Sequence, residues 1–235
     1  PVKYIIQDLL DKGELKPGGT IVESTSGNTG VGLAMVGAAL GIKVIIVMPD
    51  SMSVERRKLM QAYGAELVLT PASGGMSLAG EKAEEIAKEK NAPIFGQFKN
   101  EANVTSHEET TAREVLEDVP DVDGFVAGIG TGGTITGVGR VLKENNPETV
   151  IWSVEPEASP ILTKGEAGSH KIQGLGANFI PEILDQSVID KIETVSNDEA
   201  INTAVELAKS QGILAGFSSG ANYAVALRLA KELGK

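Results

Sequence analysis

Two short loops rich in glycine, hydroxyl and amide residues are the parts of this sequence best suited to binding an anion. The first, residues 25–30, reads Thr-Ser-Gly-Asn-Thr-Gly between a predicted strand at 18–23 and a predicted helix at 32–40. Helix starts carry unpaired backbone N–H groups and partial positive charge, and this loop contains no acid that would repel an anion. The same residue types are common in turns that only cap a helix, so this loop alone leaves both interpretations open.

The second loop, residues 130–134, reads Gly-Thr-Gly-Gly-Thr and follows a predicted strand end at 126–129. A helix is predicted from Ile135 onward. Three glycines let the backbone adopt positive φ and bring several N–H groups toward one ligand. Glycine could serve only close packing here, but Thr131 and Thr134 add hydroxyl donors that packing does not require. The loop therefore predicts a phosphate cradle at a helix start.

The type of phosphate ligand is restricted by what surrounds these loops. Neither is followed by Gly-Lys-Ser or Gly-Lys-Thr, which argues against an NTP-binding P-loop. Asp50 and Glu155 follow predicted strands, where a ribose-binding acid of a dinucleotide site would lie. However, neither loop spells Gly-x-Gly-x-x-Gly in the required place, and acids at strand ends also act as helix caps.

The elements that position these loops alternate between strand and helix along the chain, which predicts α/β domains with mostly parallel sheets. A change of pattern near Asn100 predicts two domains, residues 1–100 and residues 101–235. A helix start is predicted at 105–109, and Ser196 to Glu199 has the sequence of a capping box. Further predicted strands are 44–47, 66–69 and 150–154, and further predicted helices are 53–63 and 83–90.

Composition excludes several classes of function. The net charge of −11 argues against nucleic acid and anionic membrane surfaces as partners. The chain has no cysteine for disulfide or thiolate chemistry, and no apolar run reaches the roughly 18 residues of a membrane helix. The two histidines, His107 and His170, are too few and too far apart in sequence to predict a metal site. These features favour a cytoplasmic protein.

Several motifs together resemble the cysteine synthase family, also called O-acetylserine sulfhydrylase, which contains fold-type-II pyridoxal phosphate (PLP) enzymes. The resemblance implies two three-layer αβα domains similar to the tryptophan synthase β fold. It also implies PLP-dependent β-replacement, in which sulfide displaces acetate from O-acetylserine to give cysteine, and a homodimer. The motifs follow the family's order over almost the whole chain, at residues 25–30, 48–57, 97–100, 130–134, 170–181 and 212–220.

The resemblance also implies a role for individual residues. Asn28 corresponds to the residue that binds the cofactor's 3′ oxygen, and Ser218 to the serine that faces the pyridine nitrogen. Gly174 corresponds to the backbone position near the substrate amine. The phosphate loop is Gly130, Thr131, Gly132, Gly133 and Thr134, and the substrate carboxylate is bound by Thr25, Ser26, Gly27, Thr29 and Gln97.

The chain departs from the family pattern at both ends. Val2-Lys3 resembles the family's Ser-x-Lys segment, but the alignment fixed by residues 13–18 places Pro1 just after that segment. Lys3 is therefore predicted to be a solvated helix residue, and no PLP lysine is assigned. Lys235 precedes the strand and acidic turn that close the family's sheet. We therefore expect a fragment that is inactive alone.

Two other functions remain open at the level of sequence. One is a related PLP lyase, of the cystathionine β-synthase or O-phosphoserine sulfhydrylase type. Residues 74–76 and 217–223 favour the cysteine synthase type over these lyases. The other is a non-catalytic module that binds the C-terminal peptide of a partner such as serine acetyltransferase, since donors for a substrate carboxylate would also bind a terminal carboxylate.

Overall fold

A computed structural model describes residues 1–234. The expectation that Lys235 precedes a further strand concerns a residue outside the described part of the chain. The chain divides into two compact units, Pro1–Asn103 and a second unit that begins at Val104. Within residues 1–234, no helix combines the length and the apolar character needed to cross a membrane.

The first unit is built on a parallel sheet of three strands in the order β1-β2-β3. In the register, Val22 pairs with Ile45, and Val47 pairs with Val68. Parallel neighbours require a crossover element between them, and a helix supplies each one here. The elements are α1 (Val2–Asp11), β1 (Thr20–Ser24), α2 (Asn28–Leu40), β2 (Lys43–Pro49), α3 (Val54–Ala62), β3 (Glu66–Thr70) and α4 (Gly75–Lys90).

Both faces of this sheet are buried under helices. On one face, Val22, Ile45 and Val47 pack against Ala79 and Ala83 of α4. The opposite face packs against α1, α2 and α3. Strands buried on both faces read as continuous apolar runs, and Val44 to Met48 in β2 is such a run. The unit is therefore a three-layer αβα arrangement, as predicted.

The outer edge of β1 is covered by an extended segment, residues 93–95. The Val22 N–H donates to the Pro93 carbonyl at 3.1 Å, and the Phe95 N–H donates to the Val22 carbonyl at 2.9 Å. Val22 and Ile94 form an isolated parallel bridge. These main-chain bonds fix the path of the chain as it approaches Gln97.

The second unit contains a parallel sheet in the order β4-β5-β6, in which Val126 pairs with Trp152 and Val154 with Glu193. Its buried residues form one cluster on each face, with α6 and α7 on one side and α9 and α10 on the other. The prediction of parallel three-layer domains is confirmed here too. Its elements are α6 (Ala112–Asp118), β4 (Gly124–Gly128), α7 (Gly133–Asn145), β5 (Val150–Pro156), α8 (Ile161–Lys164), β6 (Lys191–Val195), α9 (Asn197–Gln211) and α10 (Phe217–Glu232).

The predicted helix start at 105–109 is wrong. The helix α5 (Ala102–Ser106) begins earlier, where the Ala102 N–H donates to Asn100 Oδ1 at 2.9 Å. A π-helical turn, His107–Thr111, then joins α5 to α6. The asparagine side chain provides the local acceptor that the sequence analysis assigned to the later residues.

Two other helix starts can be compared with the sequence. The α4 helix begins at Gly75, well before the predicted start at residue 83. The predicted cap of α9 is confirmed, since Ser196 Oγ accepts from the Glu199 N–H at 3.1 Å. The Glu199 carboxylate binds Arg228 instead of closing the capping box.

Candidate active site

The first polar loop lies at the carboxyl end of β1 and leads directly into α2. The helix begins at Asn28, not at residue 32, so Asn28 and Thr29 lie in its first turn. Gly27 is the N-cap residue and has no side chain with which to cap α2. The N-cap position is therefore not filled by any hydroxyl or amide residue of this loop.

Two threonines of this loop differ in their surroundings. Thr25 is buried, and its Oγ1 accepts from the Gly27 N–H at 3.4 Å, which holds the turn. Thr29 is half-buried and donates its hydroxyl to Gln97 Oε1 at 2.7 Å. The predicted substrate residues 25–29 and Gln97 are therefore brought together within the first unit, although 68 positions separate Thr29 from Gln97.

A positive charge also reaches this loop. Arg56, in the first turn of α3, donates through Nη1 to the Ser26 carbonyl at 3.4 Å. Its guanidinium carries a positive charge, which favours a negative ligand near Ser26. The sequence analysis placed Arg56 in a matching stretch but gave it no role. Only its position in the first turn after β2, at the same edge of the sheet, could have indicated one.

The second polar loop lies at the carboxyl end of β4 and opens α7. Gly132 is the N-cap residue with φ +85°, a left-handed conformation that favours glycine. The Gly133 N–H donates to Thr131 Oγ1 at 3.3 Å. Residues 130–134 therefore form a turn that directs main-chain donors of the helix start toward the end of the strand, as a phosphate cradle requires.

Gly174 lies directly against this loop. A β-carbon on Gly130 would lie 2.3 Å from the Gly174 carbonyl oxygen, a distance that a backbone contact cannot absorb. The Gly176 N–H donates to the Ile129 carbonyl at 3.0 Å, so main-chain bonding holds the two segments together. The structure thus joins predicted cofactor and substrate positions within the second unit.

His107 contacts the loop of residues 130–134, and the sequence did not predict this contact. Its Nε2 lies 3.3 Å from Thr134 Oγ1, and its Nδ1 lies 2.9 Å from Thr111 Oγ1. Burial lowers the pKa of His107 to about 4. The imidazole is therefore neutral near pH 7 and acts as a hydrogen-bonding partner of Thr134 without adding charge. Its π-helical turn is a distortion frequent at functional sites, but no sequence pattern predicted it.

Ser218 lies in the first turn of α10, four residues before Asn222. Gly124 of β4 faces Leu229, while Gly128 faces the Asn222 carboxamide oxygen, so α10 runs antiparallel to β4. Residues four apart share one face of a helix, which directs Ser218 toward the carboxyl end of β4. The N-cap residue of α10 is Gly216, so Ser218 does not occupy that position.

The two acids that could have bound a ribose instead cap local structure. Asp50 Oδ1 accepts from the Ala72 N–H at 3.1 Å. Glu155 is buried and accepts from the Leu162 N–H at 2.9 Å and the Thr163 N–H at 3.1 Å. Oδ1 of Asp50 and both carboxylate oxygens of Glu155 thus bond the chain itself, which argues against a dinucleotide site.

The predicted residues thus form two groups, each within one unit. The first unit holds residues 25–29 and Gln97, and the second holds residues 130–134, Gly174 and Ser218. Lys3 is exposed on α1, the helix position predicted for it. Like Arg56 and His107, Glu23 was not predicted as a site residue. Its carboxyl group is buried and accepts a hydrogen bond from the Gly96 N–H, next to Gln97.

The chain is similar to a family of pyridoxal-phosphate-dependent enzymes and to cysteine synthases. A family model described as "Pyridoxal-phosphate dependent enzyme" matches residues 1–235. The chain is 56% identical over 230 residues to cysteine synthase B of Campylobacter jejuni, covering 97% of this chain and 77% of that protein. It is 53% identical over 233 residues to a cysteine synthase of Staphylococcus aureus strain Mu50, covering 98% of this chain and 75% of that protein.

Among solved structures, the chain resembles an O-ureido-L-serine synthase with a TM-score of 0.94 and 46% identity. The match covers 98% of this chain and 73% of that one. A fold this similar occurs in an enzyme named for a different product, so the identity of the final product rests on the site and on the sequence relatives rather than on the fold.

Proposed function

Because the chain belongs to the pyridoxal-phosphate-dependent enzyme family, we propose that it carries out the cysteine-forming step of cysteine biosynthesis. In this reaction sulfide replaces the acetate group of O-acetylserine. Acetate leaves with the electron pair of the bond from Cβ to oxygen, and sulfur forms a new bond to Cβ. The observation that carries the proposal is the loop of residues 25–29 joined to Gln97, a carboxylate-binding arrangement in a chain 56% identical to a cysteine synthase.

The second unit fits the phosphate of the cofactor. Gly130 and Gly132 leave a cradle that a β-carbon would fill or strain, and helix α7 begins at its base. A phosphate suits such a nest because main-chain N–H groups and the helix dipole both favour negative charge. We assign the phosphate to residues 130–134, with His107 bonded to the Thr134 hydroxyl.

The remaining groups would orient the cofactor ring. PLP, when bound, supplies an electron sink for the carbon that loses its proton. We assign Asn28 to its 3′ oxygen and Ser218 to its pyridine nitrogen. A neutral hydroxyl facing that nitrogen does not force its protonation, which suits elimination and replacement at Cβ. The buried Asn222 Oδ1, which lacks a hydrogen-bond partner in the described structure, is a further polar atom on this face of α10.

The substrate carboxylate belongs to the first unit. Thr25, Ser26, Gly27 and Thr29 supply hydroxyl and main-chain groups at the start of α2, and Gln97 supplies an amide. Arg56 adds positive charge next to Ser26. A carboxylate held by such groups fixes the amino acid while its Cβ substituent is exchanged. We place the substrate amine near the backbone of Gly174.

The proton-transfer lysine is not assigned to any residue of this chain. Lys3 is exposed on α1 and occupies the helix position expected from the alignment of residues 13–18. We therefore assign PLP and substrate binding to the residues named above and leave the proton-transfer lysine unassigned.

We further propose a homodimer in the cytoplasm as the working form. The carboxylate-binding groups also suit the terminal carboxylate of a partner peptide, such as that of serine acetyltransferase. A related PLP lyase of the cystathionine β-synthase or O-phosphoserine sulfhydrylase type is the alternative. Competition between O-acetylserine and O-phosphoserine as substrates distinguishes these activities. Light scattering measures the molar mass and so tests the dimer.

The test compares the chain with the same chain preceded by a Ser-x-Lys segment. Both are loaded with PLP and supplied with sulfide and either O-acetylserine or O-phosphoserine, and cysteine is quantified. We expect PLP binding in both, and cysteine only from the lysine-bearing protein with O-acetylserine. Equal turnover by the chain without that segment would refute the lysine assignment. Absence of cysteine from both would refute the proposed function.

A further inference from the structure

Glu23 is a buried carboxyl group directly behind the carboxylate loop. It lies in β1, two residues before Thr25, and only 4% of its surface is exposed. Side chains alternate along a strand, so Glu23 shares the face of Ile21, which packs against α1, α2 and α3. A charge-bearing group in such an apolar layer requires hydrogen-bonding partners. Those partners come from residues 96 and 97.

The first partner is main-chain. The Gly96 N–H donates to Glu23 Oε2 at 3.1 Å, across 73 positions of sequence. The side-chain amide and main-chain N–H of the next residue, Gln97, also lie close enough to this carboxyl group to oppose the rise in its pKa. Glu23 therefore anchors the Gly96-Gln97 segment through the Gly96 N–H and faces the Gln97 amide.

The carbonyl oxygen of the Gln97 side chain also has a hydrogen-bonding partner. Gln97 Oε1 accepts from the Thr29 hydroxyl at 2.7 Å. A carboxamide has one acceptor end and one donor end, whereas an ionised carboxylate only accepts. Turning the Gln97 amide over would place its oxygen against the Glu23 oxygens and its NH₂ against the Thr29 proton. When Glu23 is ionised, the pair therefore permits one orientation of the amide, with a second N–H left for a ligand.

We propose that Glu23 is a positioning residue that orients the Gln97 carboxamide so that its remaining N–H can receive the carboxylate of the amino-acid substrate. This inference rests on the proposed function. Glu23 does not touch the substrate itself. Its contribution is to keep the donor end of Gln97 in place before the substrate arrives, so that binding does not have to order it.

A double-mutant cycle tests this role in the PLP-loaded protein. The ligand is L-serine, whose hydroxyl is a poor leaving group, so that calorimetry measures binding without turnover. Glu23→Gln keeps the size of the side chain but removes its charge, and a hydrogen bond to a neutral acceptor is weaker. We expect Glu23→Gln to lower affinity about fivefold when Gln97 is present and to have no effect in a Gln97→Ala background.

A ligand-free measurement accompanies the cycle. In nitrogen-15 NMR spectra, exchange of the Gln97 side-chain protons with water should become faster in Glu23→Gln. Glu155→Gln is the matched control, because Glu155 is equally buried in a strand and bonds only local groups around α8. We expect it to leave both L-serine affinity and Gln97 exchange unchanged.

The outcomes separate the inference from the proposed function. If the unmutated protein binds L-serine but Glu23→Gln weakens it equally with and without Gln97, Glu23 does not act through Gln97 and the inference is wrong. Unchanged exchange of the Gln97 side-chain protons would also overturn it. If the unmutated protein binds no L-serine, the proposed function fails, and the positioning role fails with it.

Discussion

The burial of Glu23 has a measurable effect on stability. Desolvation raises the pKa of Glu23 from its ordinary value of 4.5 to about 7, although hydrogen bonds from Gly96 and Gln97 oppose the rise. A folded-state pKa above the unfolded value means that the protonated form is favoured on folding. The stability that this group contributes is full below pH 4.5 and is lost as pH rises through about 7.

The size of the effect follows from that shift. Each pKa unit corresponds to about 1.4 kcal/mol, so the carboxyl group should cost the folded state about 2.5 kcal/mol between about pH 5 and about pH 8. Glu23→Gln cannot ionise and should not incur this cost. The variant should therefore gain stability relative to the unmutated protein as pH rises, by about that amount.

Urea unfolding followed by far-ultraviolet circular dichroism at both pH values provides the measurement. Glu84→Gln, on the exposed face of α4, controls for the loss of one negative charge. It should follow the pH dependence of the unmutated protein. If the free energy of unfolding of Glu23→Gln differs from that of the unmutated protein by the same amount at both pH values, the Glu23 carboxyl group is not buried as the structure shows.

Three further predictions concern the second unit. Gly130→Ala places a β-carbon against the Gly174 carbonyl, so we expect about 1–3 kcal/mol of strain and weaker PLP binding, measured by absorbance titration. Gly27→Ala is the control: its β-carbon would have no atom within 4 Å, and the variant should bind PLP as the unmutated protein does. NMR titration of His107 should give a midpoint near 4, because burial lowers its pKa and favours the neutral imidazole in the folded state. The stability that this group contributes is full above pH 6.5 and is lost as pH falls through about 4. A midpoint near 6.5 would contradict its burial. Ser196→Ala removes the cap of α9 and should cost about 1 kcal/mol in thermal unfolding, with no change in PLP affinity.

The strands and both polar loops were predictable from the sequence because their signals are local. The apolar run of β2 and the glycines of residues 130–134 specify their conformations within a few residues. Helix starts were less predictable. The start of α5 depends on an acceptor from Asn100, and α4 extends back to Gly75 because tertiary packing outweighs the poor helix propensity of glycine.

The supporting residues of the site were not predictable, since each acts over a long separation in sequence. Glu23 reads as one polar position in a short strand, and only the fold shows that it bonds Gly96. His107 reads as a surface helix residue until the π-helical turn brings it to Thr134, 27 positions away. Periodicity reports which face of an element is buried, but it does not report which distant side chain meets it.

The extended segment on the edge of β1 also bears on the order in which the first unit folds. Residues 93–95 bond Val22 across a long stretch of the chain, and closing so long a loop carries an entropic cost before any contact offsets it. Contacts between residues far apart in sequence slow the folding of small domains. The same docking event covers the sheet edge and delivers Gln97 to Thr29. A folding intermediate that lacks it would have an exposed edge open to association with other chains and no substrate site.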